Sequence, residues 1–256
     1  MKNTVGIVLS GGGARGIGHL GILKVLEECG IKPSVISGTS AGAIVGAFYG
    51  AGFPPEEIIN IIENHRFFHI AHMLFRKQGV FAMNAFESLF LKYFPNNNFE
   101  ELQIPLYAAA TDILKGETVY FHSGNLTQAI MASSCIPIIF QPMNFEDRLY
   151  VDGGVLNNFP VEPLIEKTNI IIGSHVNSIK KEGAQIHMRD ILDRSFHLAM
   201  SNAVRHKSHI CNVFIEPPNM SQFSIFETKR ARQIYEYCYR YALTFKEELM
   251  EIKDKL

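Results

Sequence analysis

Between Ser34 and Ala51 the chain runs as a short apolar strand, breaks into Gly38-Thr39-Ser40-Ala41-Gly42, and continues at once as a helix of small and apolar residues. A serine in the sharp turn between strand and helix is held out from the backbone, and glycines on both sides relieve crowding. The helix that follows points its positive end at developing negative charge. A strand feeding straight into a buried helix belongs in a sheet of parallel strands, and the rest of the chain repeats the alternation. Strands are expected at Thr4–Ser10, Ser34–Ser37, Pro105–Thr111, Glu117–Phe121, Leu149–Val151, Asn169–Gly173 and Asn212–Ile215. Helices are expected at Gly16–Cys29, Ala41–Gly52, Leu126–Ser133, Asp190–Lys207 and, as one long terminal rod, Glu227–Lys253. Strands alternating with helices predict an α/β fold of three layers, α/β/α, around a mainly parallel sheet covered on both faces. No repeat, low-complexity tract or composition break divides residues 1–256, so one domain is expected over the whole length.

Two further loops at strand ends carry chemistry. Ser10-Gly11-Gly12-Gly13-Ala14-Arg15-Gly16 follows the first strand and opens a helix, so its backbone N–H groups can converge on an anion. Gly11, Gly13 and Gly16 fit the spacing of a dinucleotide fingerprint. That use also needs an acidic residue at the end of the second strand, where the chain has Gly38-Thr39-Ser40, and the lysine–hydroxyl pair of a phosphate-binding loop is missing. An oxyanion hole is the other reading, with the Gly12 and Gly13 N–H groups as donors and Arg15 bracing the loop or adding charge. Asp152, in Tyr150-Val151-Asp152-Gly153-Gly154, ends a strand with two glycines behind it. It is either a turn aspartate bonding its own backbone or a base able to reach a neighbouring strand's serine. Among the ten histidines, only His175, after the strand Asn169–Gly173, competes for that task.

Taken together and in this order, Gly11–Gly16, Gly38–Gly42 and Asp152–Gly154 make the chain resemble the patatin-like phospholipases, a family of lipid acyl hydrolases. Ala132-Ser133-Ser134-Cys135-Ile136-Pro137 and Val155-Leu156-Asn157-Asn158-Phe159-Pro160-Val161 also resemble family blocks, and the likeness spans residues 4–175. The resemblance implies a Ser–Asp dyad: Ser40 as nucleophile and Asp152 as the base that takes its proton and later activates water. It implies an oxyanion hole from Gly11, Gly12, Gly13 and Arg15, with Gly16, Gly38, Gly42, Gly153 and Gly154 supporting the motifs. It implies a phospholipid or lysophospholipid substrate, and neither cofactor nor metal. A non-catalytic lipid-binding regulator with the same fold is the rival expectation.

Composition narrows the surroundings. A formal net charge of −1 offers nothing to draw the chain to nucleic acid. No secretory leader and no apolar run long enough to span a bilayer is legible, so a cytoplasmic protein is expected, with transient contact at a membrane surface. Cys29, Cys135, Cys211 and Cys238 form no paired motif and read as reduced, buried thiols. The aromatic segment His65–Phe94 reads either as a helical pair whose stripe is core or as a cap or lipid-contact surface over an acyl pocket. His65, His69 and His72 share one helix face without a carboxylate or cysteine beside them, which reads as a solvated basic face. The cluster Arg205, His206, Lys207 and His209 offers contact to anionic headgroups.

Overall fold

The computed structural model describes residues 3–65, 87–137, 140–145, 147–178, 198, 204, 206–225 and 229–256. Its centre is a sheet of eight strands: β1 (Val5–Leu9), β2 (Val35–Thr39), β3 (Leu106–Asp112), β4 (Glu117–Phe121), β5 (Met143–Phe145), β6 (Arg148–Asp152), β7 (Ile170–Ser174) and β8 (Val213–Ile215). Strands β3, β2, β1, β7 and β8 lie side by side and parallel, while β4, β5 and β6 join antiparallel beyond β3. β1, β2 and β7 are buried along their whole length, as strands covered on both faces must be.

The alternation of side chains divides the core. Ile7, Leu9 and Ile36 pack under helices α1 (Gly18–Glu28), α2 (Ala41–Gly50), α3 (Pro55–His65), α4 (Leu126–Ser133), α5 (Ala231–Ala242) and α6 (Lys246–Lys253). Val8, Val35 and Ile171 face the other way, onto Phe159, Val161, Leu164 and Val204. α1 approaches α5 closely because its packing face carries Gly18 and Gly21: a Cβ on Gly21 would press on the Tyr235 carbonyl and lie 2.6 Å from the Tyr239 nitrogen. The described end of the aromatic segment is core. Phe90 and Phe94 are buried, stack at 4.3 Å between ring centroids, and meet Phe48 of α2 edge-on. Residues 66–86, which include His69 and His72, lie outside the described residues, as does most of the helix expected at Asp190–Lys207.

Three expectations need correction. The terminal rod is two helices, α5 and α6, separated by a tight turn at Leu243–Phe245. There the Thr244 hydroxyl donates back to the Tyr241 carbonyl at 2.6 Å, a local bond of the kind that competes with the helical ladder. His206 and Lys207 form a turn followed by a short 3-10 segment, Ser208–Ile210, so no helix runs through Lys207. The strand β5 and the helix α3 were not expected. β5 is three residues long at an edge, too short to show a period.

The arrangement that places the site is the shared edge of β3. β2 pairs Ile36–Thr39 with Leu106–Ala109, and β6 takes over the same edge, with Asp152 opposite Ala110 and Tyr150 opposite Asp112; β4 occupies the other edge from Ala108 to Asp112. The last residue of β2 and the last residue of β6 therefore stand against consecutive residues of β3. Ser40 follows directly from the first, and Asp152 is the second.

Candidate active site

Ser40 occupies the turn between β2 and α2 with φ 53° and ψ −120°, a backbone conformation that L-residues rarely adopt. Such strain costs roughly 1–3 kcal/mol and persists only where the surroundings over-determine it. Here they do. The Ser40 N–H donates to the Ser133 hydroxyl at 2.8 Å, and that hydroxyl donates onward to the Ala109 carbonyl at 2.6 Å. The Ser40 carbonyl accepts from Ile44 at 3.0 Å, starting α2. The flanking glycines are needed for close approach: a Cβ on Gly38 would fall 2.7 Å from the Gly42 carbonyl, and one on Gly42 would press on the Leu9 carbonyl. Gly16 serves the same end from the first loop, since a Cβ there would overlap that of Ala41.

Asp152 is buried, and the Ser40 side chain beside it favours its ionised form. Its Oδ1 also accepts from the Gly154 N–H at 2.7 Å, and its own N–H donates to the Cys135 carbonyl at 2.8 Å. Burial pushes its carboxyl from 3.8 up to about 6, against Ser40 and the Gly154 hydrogen bond, which favour the ionised form. Asp152 thus turns its own loop and lies beside the Ser40 side chain. Gly153 lets that loop lie on the sheet, because a Cβ there would strike the Ala109 carbonyl.

The first glycine loop lies beside this pair. A Cβ on Gly11 would lie 3.4 Å from the Ser40 Cβ. Gly13 has φ +54° and is followed by a 3-10 turn, Gly13–Ile17, which leads into α1. The Gly11 N–H is engaged by the Asn158 carbonyl at 3.2 Å, whereas neither Gly12 nor Gly13 donates to any group among the described residues. Arg15 is a brace: its Nε donates to the Phe223 carbonyl at 2.7 Å and its Nη1 to Asn177 Oδ1 at 3.4 Å. Asn177 in turn donates through Nδ2 to the Gly11 carbonyl. Thr39, where a dinucleotide site would need a carboxylate, spends its hydroxyl on the Asn157 carbonyl at 2.8 Å.

The loop also rests on a histidine that the sequence did not single out. His19 is fully buried; its Nε2 meets the Ser10 carbonyl at 2.8 Å and its Nδ1 the Ser174 hydroxyl at 2.6 Å. A carbonyl only accepts, so the ring proton sits on Nε2 and the Ser174 hydroxyl donates to Nδ1. Burial holds the ring neutral, with its pKa lowered to about 4. His175, the residual candidate for a base, instead pairs through Nδ1 with Glu216 at 2.8 Å and stacks on Phe214. All four cysteines are free, and burial pushes the Cys135 and Cys211 thiols up to about 12, so neither is poised as a nucleophile. Lys207, in the basic cluster that offers contact to headgroups, is paired: its Nζ lies 2.5 Å from Glu162 and 2.7 Å from Asn157 Oδ1. Among the described residues no group of three or more His, Cys, Asp or Glu side chains could hold a metal ion, and no helix is long and apolar enough to cross a membrane.

Several known proteins are similar to this chain. An uncharacterized NTE family protein of Mycobacterium tuberculosis is 32% identical over 162 residues, covering 62% of this chain and 45% of the relative. Patatin-like phospholipase domain-containing protein 6 of Homo sapiens is 28% identical over 173 residues, 62% of this chain and 12% of its own length. Lysophospholipase NTE1 of Kluyveromyces lactis is 26% identical over 281 residues, 97% of this chain and 19% of its own. This chain thus spans less than half the length of those relatives. The crystal structure of VipD from Legionella pneumophila is similar in fold, with a TM-score of 0.57 at 14% identity over 97% of this chain and 67% of that one. The family model described as patatin-like phospholipase matches residues 7–165, the stretch that holds all three glycine loops. The chain belongs to the patatin-like phospholipase family.

Proposed function

We propose that this chain is a serine-dependent lipid acyl hydrolase that cleaves carboxylic esters of phospholipids or lysophospholipids, with residues 1–256 acting as one domain. The observation that supports the reading is the placement of Ser40, in its strained turn at the end of β2, beside the end of β6, where a buried Asp152 has its carboxyl raised to about 6. A base with that pKa is ionised at neutral pH yet far more basic than a solvated aspartate, which suits it to proton transfer. In the first step Ser40 Oγ attacks the ester carbonyl carbon and its proton passes to Asp152. The carbonyl oxygen, now an oxyanion, is met by the Gly12 and Gly13 N–H groups, aided by the N-terminal turn of α2. Collapse breaks the bond to the leaving alcohol, which takes the proton from Asp152 and leaves an acyl-enzyme. Water then attacks the acyl carbon, gives its proton to Asp152, and releases the fatty acid as Ser40 recovers its hydrogen. Arg15 contributes by holding the loop in place.

Lipid as the substrate class rests on the family and on the relatives' names, phospholipase and lysophospholipase. A cytoplasmic setting with transient contact at a lipid surface belongs to the same reading, and four free thiols fit a reducing compartment. The test is release of fatty acid from lysophosphatidylcholine micelles and from p-nitrophenyl butyrate by the native chain and by Ser40→Ala. Turnover that vanishes in the variant supports the hydrolase. Equal turnover in both removes it, and lipid binding without turnover by the folded native chain would favour a binding regulator instead.

A further inference from the structure

Two neighbouring asparagines follow the Asp152 loop and differ completely in their bonding. Asn157 is saturated: its Nδ2 donates to the Tyr120 hydroxyl and to Glu162, both at 2.9 Å, and its Oδ1 accepts from Lys207 at 2.7 Å and from the Phe159 N–H at 3.3 Å. Asn158 is 1% exposed, and among the described residues neither its Nδ2 nor its Oδ1 has a hydrogen-bond partner. A buried amide left with all its capacity unused is costly, and native structures rarely retain one without a reason. Its position supplies the reason. The point that a Gly11 Cβ would occupy lies against Asn158 Oδ1 and 3.4 Å from the Ser40 Cβ. The unpartnered amide therefore lies close to the nucleophile, across a residue that has no side chain. With neither end bonded, half a turn about its last torsion brings Nδ2 to where Oδ1 lies. The backbone anchors the side chain there, since the Asn158 carbonyl holds the Gly11 N–H at 3.2 Å.

We propose that the Asn158 side-chain amide is a third donor of the oxyanion site, bonding the carbonyl oxygen of the bound acyl ester beside the Gly12 and Gly13 N–H groups as that oxygen gains charge. The inference rests on the esterase reading of Ser40. It also gives the Gly11 position a requirement of its own: any side chain there would separate the amide from the ester.

The experiment compares the native chain, Asn158→Leu and Asn158→Ala in p-nitrophenyl butyrate kinetics, in the second-order rate of labelling by a fluorophosphonate, and in thermal melting. Leu has nearly the shape of Asn and removes only the polar atoms. Loss of one such donor is expected to lower kcat about 100-fold or more with KM within a few-fold, and to slow labelling in step. Tm should be unchanged or raised in Asn158→Leu, because an unpartnered polar group has been removed. The proposal is overturned if either folded variant keeps kcat within about threefold of native. It is also overturned if both variants lose the fold, since the amide would then be holding structure. A native chain that neither turns over nor labels would remove the esterase reading along with it, whereas an active native chain with unaffected variants removes the Asn158 assignment alone.

Discussion

Replacing Asp152 by asparagine should abolish turnover and at the same time make the protein more stable, by an amount that depends on pH in a calculable way. The folded chain holds the Asp152 proton up to about pH 6, whereas the unfolded chain releases it near 3.8. Between those values the folded state binds more protons than the unfolded one, so stability falls as pH rises and remains lowered above pH 6. At 1.36 kcal/mol per factor of ten, the interval corresponds to about 3 kcal/mol by pH 7.5. Asp152→Asn keeps the Oδ1 that accepts from the Gly154 N–H and offers an N–H toward the Ser40 hydroxyl, but it carries no charge to desolvate. The variant should therefore match the native chain near pH 4 and exceed it by roughly 2–3 kcal/mol at pH 7.5. Its kcat should fall about a thousandfold or more for want of a base. Urea denaturation followed by circular dichroism at intervals from pH 4 to 8 measures the first effect, and ester hydrolysis the second. A variant that is less stable than native at every pH, or a difference that does not change with pH, would refute the reasoning: Asp152 would then be an ordinary solvated carboxylate or an essential brace.

The native kcat/KM for an ester should fall with unit slope below about pH 6 as Asp152 takes up its proton, and level off above; an inflection near 4 would contradict the effect of burial. Ser133→Ala strips the Ser40 N–H of its acceptor and the Ala109 carbonyl of its donor, both buried, and should cost about 1–3 kcal/mol in urea denaturation together with a lower kcat. His19 has the opposite sign from Asp152. Its folded pKa of about 4 lies below the unfolded 6.5, so it withdraws stability as pH falls through that window. The stability of the native chain relative to His19→Gln should therefore decrease by up to about 3 kcal/mol between pH 6.5 and 4, measured in the same urea series; a constant difference would mean that the ring is reached by water.

Local patterns carried the sequence reading far where chemistry depends on neighbours in the chain. The end of β2, the turn at Ser40 and the start of α2 are all written in ten consecutive residues, and the same is true of Asp152 with its two glycines. What brings the two together was not written locally. It depends on β3 offering one edge first to β2 and then to β6, pairings between segments about seventy and about forty residues apart. Ser133 and Asn158 lay in segments recognised as family-like, yet nothing in Ala132–Pro137 or Val155–Val161 says which hydroxyl supports Ser40 or which amide remains unbonded. The change from α5 to α6 falls at a 3-10 turn holding Thr244, in a stretch whose helical pattern otherwise continues. Lys207 looked like surface charge for the same reason: its carboxylate partner, Glu162, lies forty-five positions earlier in the chain.

The most direct test of the Ser40–Asp152 account is the site of covalent capture. The native chain is incubated with a fluorophosphonate at pH 7.5, digested, and the modified residue identified by mass spectrometry, with Asp152→Asn treated in parallel. A single adduct on Ser40 is expected, forming much more slowly in Asp152→Asn. An adduct on another residue, or labelling of Ser40 at the native rate in Asp152→Asn, would contradict it.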